Sequence, residues 1–174
     1  MSVLAILHFF IDLCLLRRAP QDLPASSVIF ALVVVAGTLG SMLLALSAGE
    51  KALVGFLQGL LDIAFMAALL HVILRLVDKP ARFLQTATAL IGADTLIGLV
   101  ALLPLSLAAG ADETSGLLVL AGFLFMGLVV WGVLASAHIL RHAFEIPLMQ
   151  GVFLAIAYDV LAFFVIGGLT QGLS

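Results

Sequence analysis

Two long apolar runs, residues 53–74 and 83–107, flank a polar turn that carries Arg75, Lys79 and Arg82. This hairpin constrains the fold more than any other stretch. Each run exceeds the ~20 apolar residues that a helix needs to cross a ~30 Å hydrocarbon layer. A backbone in hydrocarbon must satisfy its own hydrogen bonds, which a helix does within one segment. The hairpin therefore predicts two antiparallel membrane-spanning helices.

Three further runs have the same character, so we predict an all-α fold, a polytopic membrane helix bundle with five transmembrane helices in residues 19–174. The spans are expected at about 26–48, 53–74, 83–107, 117–140 and 148–169. The chain is 64% hydrophobic and only 10% charged, whereas a soluble domain carries about 25% charged residues. Pro104 is expected to kink or loosen the last turn of the third span.

Residues 1–18 are apolar but too short to span comfortably. His8 and Asp12 are four residues apart, so they share one face of a helix, and Arg17 and Arg18 follow it. We interpret this segment as an amphipathic helix in the membrane interface that precedes the five spans. A secretory signal peptide is the alternative. A signal peptide carries its positive charges before the apolar stretch, whereas here Arg17 and Arg18 follow it.

The basic residues predict the orientation, because Lys and Arg accumulate on the cytoplasmic side. With the N-terminus inside and the C-terminus outside, only Lys51 faces out. The remaining six face the cytoplasm: Arg17, Arg18, Arg75, Lys79, Arg82 and Arg141. The compact, Ala- and Leu-rich chain suits a bacterial cytoplasmic (inner) membrane.

Three carboxylates lie inside predicted spans: Asp62, Asp94 and Asp159. Each is about a dozen residues from the basic end of its span, or roughly 18–20 Å, which is near the middle of the membrane. Intramembrane acids usually face the bundle interior, so we expect the three to converge. The candidate polar cluster also includes side chains at the same level or one turn away: Gln58, Thr38 and Thr95, with Tyr158 beside Asp159.

Two interpretations of this cluster remain open. It could form a relay for protons or cations, or its Asp side chains could hold helices together through hydrogen bonds of ~0.6–2 kcal/mol.

The histidines form a second pattern near the predicted cytoplasmic boundary. His138 and His142 are four residues apart, with Glu145 three further on, while His71 and His8 lie on other helices. This spacing allows a metal site or a pH-sensitive contact, but interfacial polar residues look the same, and we assign no metal. Trp131 is expected as an interfacial anchor. No phosphate loop, dinucleotide fingerprint or Cys-x-x-Cys pair is present, so we expect no cofactor.

Five closely spaced helices with short loops and a cytoplasmic N-terminus resemble the layout of the Yip domain family. Gln21-Asp22-Leu23-Pro24, just before the first span, is similar to the Asp-Leu-Tyr-Gly-Pro motif of that family, although the Tyr-Gly pair is missing here. The resemblance covers residues 17–174. It implies a role in membrane organisation or trafficking through protein contacts, and it implies no catalytic residues.

Three functions follow as hypotheses. The first is a non-enzymatic, Yip-like scaffold or assembly factor that acts through helix contacts. The second is a small proton-coupled transporter or channel that uses the Asp cluster. The third is a metal-dependent membrane enzyme that uses the His cluster. The expected partners are the lipid bilayer and either a protein partner or a second copy of the chain; the net charge of −3 gives no reason to expect nucleic acid.

Reporter fusions test the predicted topology. A reporter that folds only in the cytoplasm should be active after Arg82 or Arg141 and inactive after Ser174, because the basic turns stay inside. Cytoplasmic activity at Ser174 would overturn the five-span arrangement.

Overall fold

A computed structural model describes residues 3–112 and 115–170; residues 1–2, 113–114 and 171–174 of the predicted segments lie outside this range. The described chain forms six α-helices and no strand. They are α1 (Val3–Cys14), α2 (Ser27–Ser47), α3 (Ala52–Leu76), α4 (Phe83–Ala109), α5 (Gly116–Phe144) and α6 (Leu148–Thr170). Helices α2 to α6 are long and apolar enough to cross a membrane. The protein is therefore an integral membrane helix bundle with five spans, as the apolar runs predict.

The observed spans lie close to the predicted ones. The largest difference is at the end of α5, which continues to Phe144 rather than ending near residue 140. Helix α4 continues past the buried Pro104 to Ala109. The short α3–α4 and α5–α6 turns place four helix ends together at one end of the bundle, which we call the basic end because it carries Arg75, Lys79, Arg82 and Arg141. The opposite end, with the Gly49–Lys51 turn, is the distal end.

The five spans form an incomplete ring. Helix α2 packs against α3 and α4, α4 packs against α5, and α5 packs against α6, whereas α6 meets α3 over a smaller area. Small residues permit the closest approach. Gly55 and Gly59 of α3 lie directly against Ser41 of α2, and Gly151 of α6 lies against the backbone of Ala137 in α5. Close contacts through small residues therefore join α2 to α3 and α5 to α6, whereas the contact between α3 and α6, which we call the α3–α6 seam, is smaller.

Helix α1 docks onto the outside of the ring, against α4 and α5. Its apolar face is buried through Phe9, Phe10, Leu13 and Cys14. The Phe10 ring fills the space beside Gly92, where a Cβ would collide with it. The predicted polar stripe points away from this face: His8 is exposed and Asp12 pairs with Arg18 at 3.7 Å. The interfacial location of α1 remains a prediction.

Trp131 differs from its expected role as an interfacial anchor. It lies near the middle of α5, and its indole Nε1 donates a 2.7 Å hydrogen bond to the carbonyl oxygen of Cys14. The last carbonyls of a helix lack partners within the helix, so Trp131 satisfies one of them at the end of α1. Burial, with a smaller contribution from Asp94, raises the pKa of the Cys14 thiol to about 11, and a protonated thiol is a poor nucleophile.

Helices α4 and α5 also hold the connector between α1 and α2. Gln85 donates a 2.6 Å hydrogen bond to the Leu23 carbonyl, and Gln21 donates one of 2.7 Å to the His142 carbonyl. The connector makes a single 3-10 turn at Pro20–Asp22, where proline ends helical hydrogen bonding. Contacts made by residues 9–23 thus fasten the N-terminal segment to the same two helices.

Two glycine substitutions test the packing of the ring. A Cβ at Gly151 would lie 2.5 Å from the Ala137 carbonyl oxygen, so Gly151→Ala must push α5 and α6 apart. We expect a cost of ~1–3 kcal/mol, measured as a lower melting temperature in detergent. Gly122→Ala is the matched control, because a Cβ there meets no atom of the described chain within 4 Å. Equal melting temperatures for the two variants would contradict the α5–α6 contact.

Candidate functional site

A cavity of about 950 Å³ lies inside the ring, and all five spans line it. Asp62 of α3, Asp94 of α4 and Asp159 of α6 all reach it. The structure therefore brings together the three carboxylates that the sequence places at one depth. Helix α3 contacts both of the other helices, whereas the cavity separates α4 from α6.

Asp62 is joined to α6 by the single tyrosine of the chain. The Tyr158 hydroxyl donates a 2.6 Å hydrogen bond to Asp62 Oδ1, and the Tyr158 ring stacks on Phe65 with centroids 6.0 Å apart. Sequence neighbourhood associates Tyr158 with Asp159, but successive residues of a helix point about 100° apart. Tyr158 consequently faces α3, while Asp159 faces the cavity from another angle.

Asp94 and Asp159 are exposed to the cavity, and Asp62 is half-buried. No hydrogen bond joins the carboxylate of Asp94 or Asp159 to another side chain in the part of the chain that the structure describes. The backbone beside Asp94 is supported from the other side of α4, where the Cys14 thiol lies 3.8 Å from the Ala93 carbonyl oxygen. The two carboxylates are therefore positioned by rigid helices but left available to whatever fills the cavity.

The polar residues expected around the acids divide into two groups. Gln58 and Thr95 line the cavity; Gln58 donates a 3.4 Å hydrogen bond to Thr170, and Thr95 donates to the Ile91 carbonyl of its own helix. Thr38 is buried between α2 and α3, where it donates to the Val34 carbonyl. It is not among the described residues that line the cavity, so its membership of the cluster stays a prediction.

Sequence reasoning missed three cavity-lining polar residues: Ser41, Ser136 and Glu50. Ser41 and Ser136 are small, and small residues in spans are usually explained by helix packing. Glu50 lies in the α2–α3 turn, so no depth argument applies to it. Ser136 is one of few polar residues in α5, and this was the only sequence feature that could have identified it.

The cavity is acidic. None of the described residues lining it is a lysine or arginine, and apart from the carboxylates and a few neutral polar groups its walls are apolar. Carboxylates in hydrocarbon cost ~2.5–3.5 kcal/mol each on insertion scales, unless water or a partner reaches them. The cavity supplies the space for water, and carboxyl groups with no lysine or arginine beside them favour protons or other cations within it.

The histidines do not form one site. His138 and His142 are in contact, with ring centroids 4.7 Å apart, and His138 Nε2 lies 2.9 Å from the Arg18 carbonyl oxygen. A carbonyl only accepts, so this ring nitrogen carries the proton. His71 instead packs edge-on against Phe83, and His8 is near the Leu4 carbonyl of α1.

Glu145, the oxygen ligand suggested for a metal, has other partners. It occupies the left-handed conformation that ends α5 (φ 60°), and its carboxylate accepts hydrogen bonds from Lys79 at 2.6 Å and from Arg82. Lys79 and Arg82 also donate to carbonyls at the end of α5, where unpaired oxygens attract cations. Within residues 3–112 and 115–170, no group of three His, Cys, Asp or Glu side chains is placed to hold a metal. In the described chain, Glu145 is therefore directed to Lys79 and Arg82 and does not join His138 and His142.

Comparisons with family models, curated proteins and solved structures find no match to this chain. The geometry of the cavity thus carries the functional argument.

Substitution of Glu145 tests the contact that joins the two turns of the basic end. Hydrogen bonds from Lys79, then Arg82, lower the pKa of Glu145 from its ordinary 4.5 to about 2. A lowered pKa stabilises the fold above the ordinary value, and this stabilisation disappears as the pH falls towards 2. We expect Glu145→Gln to melt below the wild type at pH 7, with the difference shrinking from pH 4.5 downwards and in high salt.

Asp78→Asn is the control for this measurement. Asp78 lies in the adjacent turn in the left-handed conformation, which asparagine tolerates. The Asp78→Asn variant should have the melting temperature of the wild type at every pH. A difference between Glu145→Gln and wild type that is independent of pH would show that the carboxylate charge is not what matters.

Proposed function

We propose that this protein is a small proton-coupled transporter or channel whose working site is the cavity lined by Asp62, Asp94 and Asp159. One observation carries the proposal: two of the three aspartates, Asp94 and Asp159, are exposed to a space of about 950 Å³ that all five spans line. Acids that only hold helices together are expected to be sealed in contacts with neighbouring helices. Acids that exchange protons need space for water beside them, and the cavity provides that space at Asp94 and Asp159.

Asp62, Asp94 and Asp159 have different roles in this proposal. Asp62 is held by the Tyr158 hydroxyl, so it is the least free to change its partner. Asp94 and Asp159 face the cavity from opposite helices without such a bond. They are the groups that take up and release protons, or bind a cation in their place. Intramembrane acids with this arrangement commonly mark proton and ion pathways.

We further propose that the protein resides in a bacterial inner membrane with the basic end in the cytoplasm. The support is the partition of Lys and Arg, together with the clustering of Arg75, Lys79, Arg82 and Arg141 on the two turns of one bundle end.

A scaffold of the Yip-like kind is the second candidate function. It is supported by the distal half of α5, where large apolar side chains such as Val119, Phe123 and Met126 are 61%, 75% and 60% exposed. Lipid or a helix of a partner protein could cover this face. A scaffold does not need the acids to titrate, and this difference separates the two candidates.

A flux measurement tests the transport proposal. Purified protein is reconstituted into liposomes that contain a pH-sensitive dye, and proton uptake is followed after a pH step. Asparagine matches the size of aspartate but cannot titrate, so Asp94→Asn should fold normally and reduce the initial rate by about 100-fold, the order of effect of a positioned proton-transfer group.

Asp112→Asn, which alters an exposed carboxyl outside the cavity, should leave the flux unchanged. Equal thermal stability of both variants is required for the comparison. Wild-type flux no greater than that of empty liposomes, or flux unaffected by Asp94→Asn, would reject the transporter and favour the scaffold.

A further inference from the structure

The seam between α3 and α6 has a closed half and an open half. Towards the distal end, Gln58 is bonded to Thr170, and in the middle Tyr158 is bonded to Asp62. Both bonds join α3 to α6. Elsewhere the helices of the ring pack closely through small residues, so this seam is the part of the ring that relies on a few polar bonds.

Towards the basic end, a second cavity of about 360 Å³ opens between the same two helices, and we call it the portal. Its walls come from α3, from the α5–α6 turn region and from the first two turns of α6: Ile73, Val77, Phe144, Ile146, Gln150, Phe153 and Leu154. The portal opens on the outer surface of the bundle, where Val77 and Phe153 are 42% and 68% exposed. It therefore faces the lipid near the basic end.

Three residues line both the portal and the acidic cavity: Ile73, Phe144 and Leu154. The two spaces are consequently neighbours, with these apolar side chains between them. Leu154 is 38% exposed, and exposed side chains rotate on the picosecond to nanosecond scale. A small outward movement of α6 would open the passage, because no bond between α3 and α6 in the described chain lies on this side of Tyr158.

The chemistry of the two spaces differs, and the difference selects a class of solute. The described portal residues carry one neutral amide, Gln150, and no charge. A small hydrated ion would lose its water there without compensation. The acidic cavity beyond has four carboxylates, those of Asp62, Asp94, Asp159 and Glu50, and no lysine or arginine among its described lining residues. A solute suited to both has an apolar body and a positive charge spread over it.

We propose that a lipophilic organic cation enters the acidic cavity from the lipid through the portal between α3 and α6, past a gate formed by Ile73, Phe144 and Leu154. This inference rests on the proposed transport function and names its substrate class. The cavity volume of about 950 Å³ lies within the ~300–1,000 Å³ typical of small-molecule sites. Protons and the cation compete for the carboxylates, which couples their movements.

The test measures binding of tetraphenylphosphonium to full-length protein in lipid nanodiscs. Leu154→Trp enlarges a gate side chain, so we expect association and dissociation to slow about tenfold while the equilibrium affinity changes much less, as for a gate outside the binding contacts. Met149→Trp is the matched control, since Met149 is 66% exposed on the same helix and does not line the portal. It should leave both rates unchanged. Asp94→Asn should weaken the affinity itself.

A reversible lock provides a second measurement in case Leu154→Trp folds poorly. Ile73→Cys and Leu154→Cys are combined in a Cys14→Ser background and joined by a short, reducible thiol cross-linker. The cross-linked protein should neither take up nor release the probe, and reduction should restore exchange.

The outcomes separate the two proposals. Wild-type exchange rates in both Leu154→Trp and the cross-linked protein, with binding still dependent on Asp94, would overturn the portal and leave the transport function standing. Absence of probe binding to wild type, beside proton flux that requires Asp94, would overturn the substrate class alone. Absence of both binding and flux would reject the transport function itself.

Discussion

A carboxylate cannot remain charged and alone in hydrocarbon, and the arrangement of this bundle depends on that constraint. Asp62, Asp94 and Asp159 lie near the middle of three helices whose other faces are apolar. Directing them outward would cost a few kcal/mol for each residue. The five spans instead line a cavity, and all three aspartates reach it. The space they require keeps α6 from closing tightly on α3, which explains why that seam is sparsely packed and bonded through Tyr158 and Gln58.

The rest of the chain supports the wall opposite this seam. Helix α1 lies behind the cavity side of α4, with Phe10 against Gly92 and the Cys14 thiol near the Ala93 carbonyl. Trp131 and the connector bonds fasten the same segment to α5. At the basic end, Glu145 joins the two turns through Lys79 and Arg82. A rigid side formed by α1, α2, α4 and α5 therefore faces a more weakly bonded side at α6, and this asymmetry makes the α3–α6 seam the natural place for access.

The proposed transport function and the proposed portal use the same physical contrast. Apolar residues surround the access route, while uncompensated carboxylates lie at its inner end. A solute must therefore satisfy a lipid-like environment first and an anionic one afterwards. The scaffold hypothesis depends on a different surface, the exposed distal half of α5, so the two candidate functions make separate demands on the chain.

The sequence by itself determined the all-α class, the five spans and the shared depth of the three acids, because apolar run length and helical rise are local properties. Only the tertiary structure decided which helices are neighbours. Residue spacing could not reveal that Tyr158 bonds to Asp62 across the seam, that Glu145 pairs with Lys79 and Arg82 rather than joining the histidines, or that Thr38 is buried between α2 and α3. Trp131 shows the same limit. A tryptophan in a membrane span suggests an interfacial anchor, but the docking of α1 supplies the partner for its indole. Contacts of this kind depend on how the helices rotate and pack against one another. Small residues at the helix crossings set that packing, and the crossings exist only in the assembled ring.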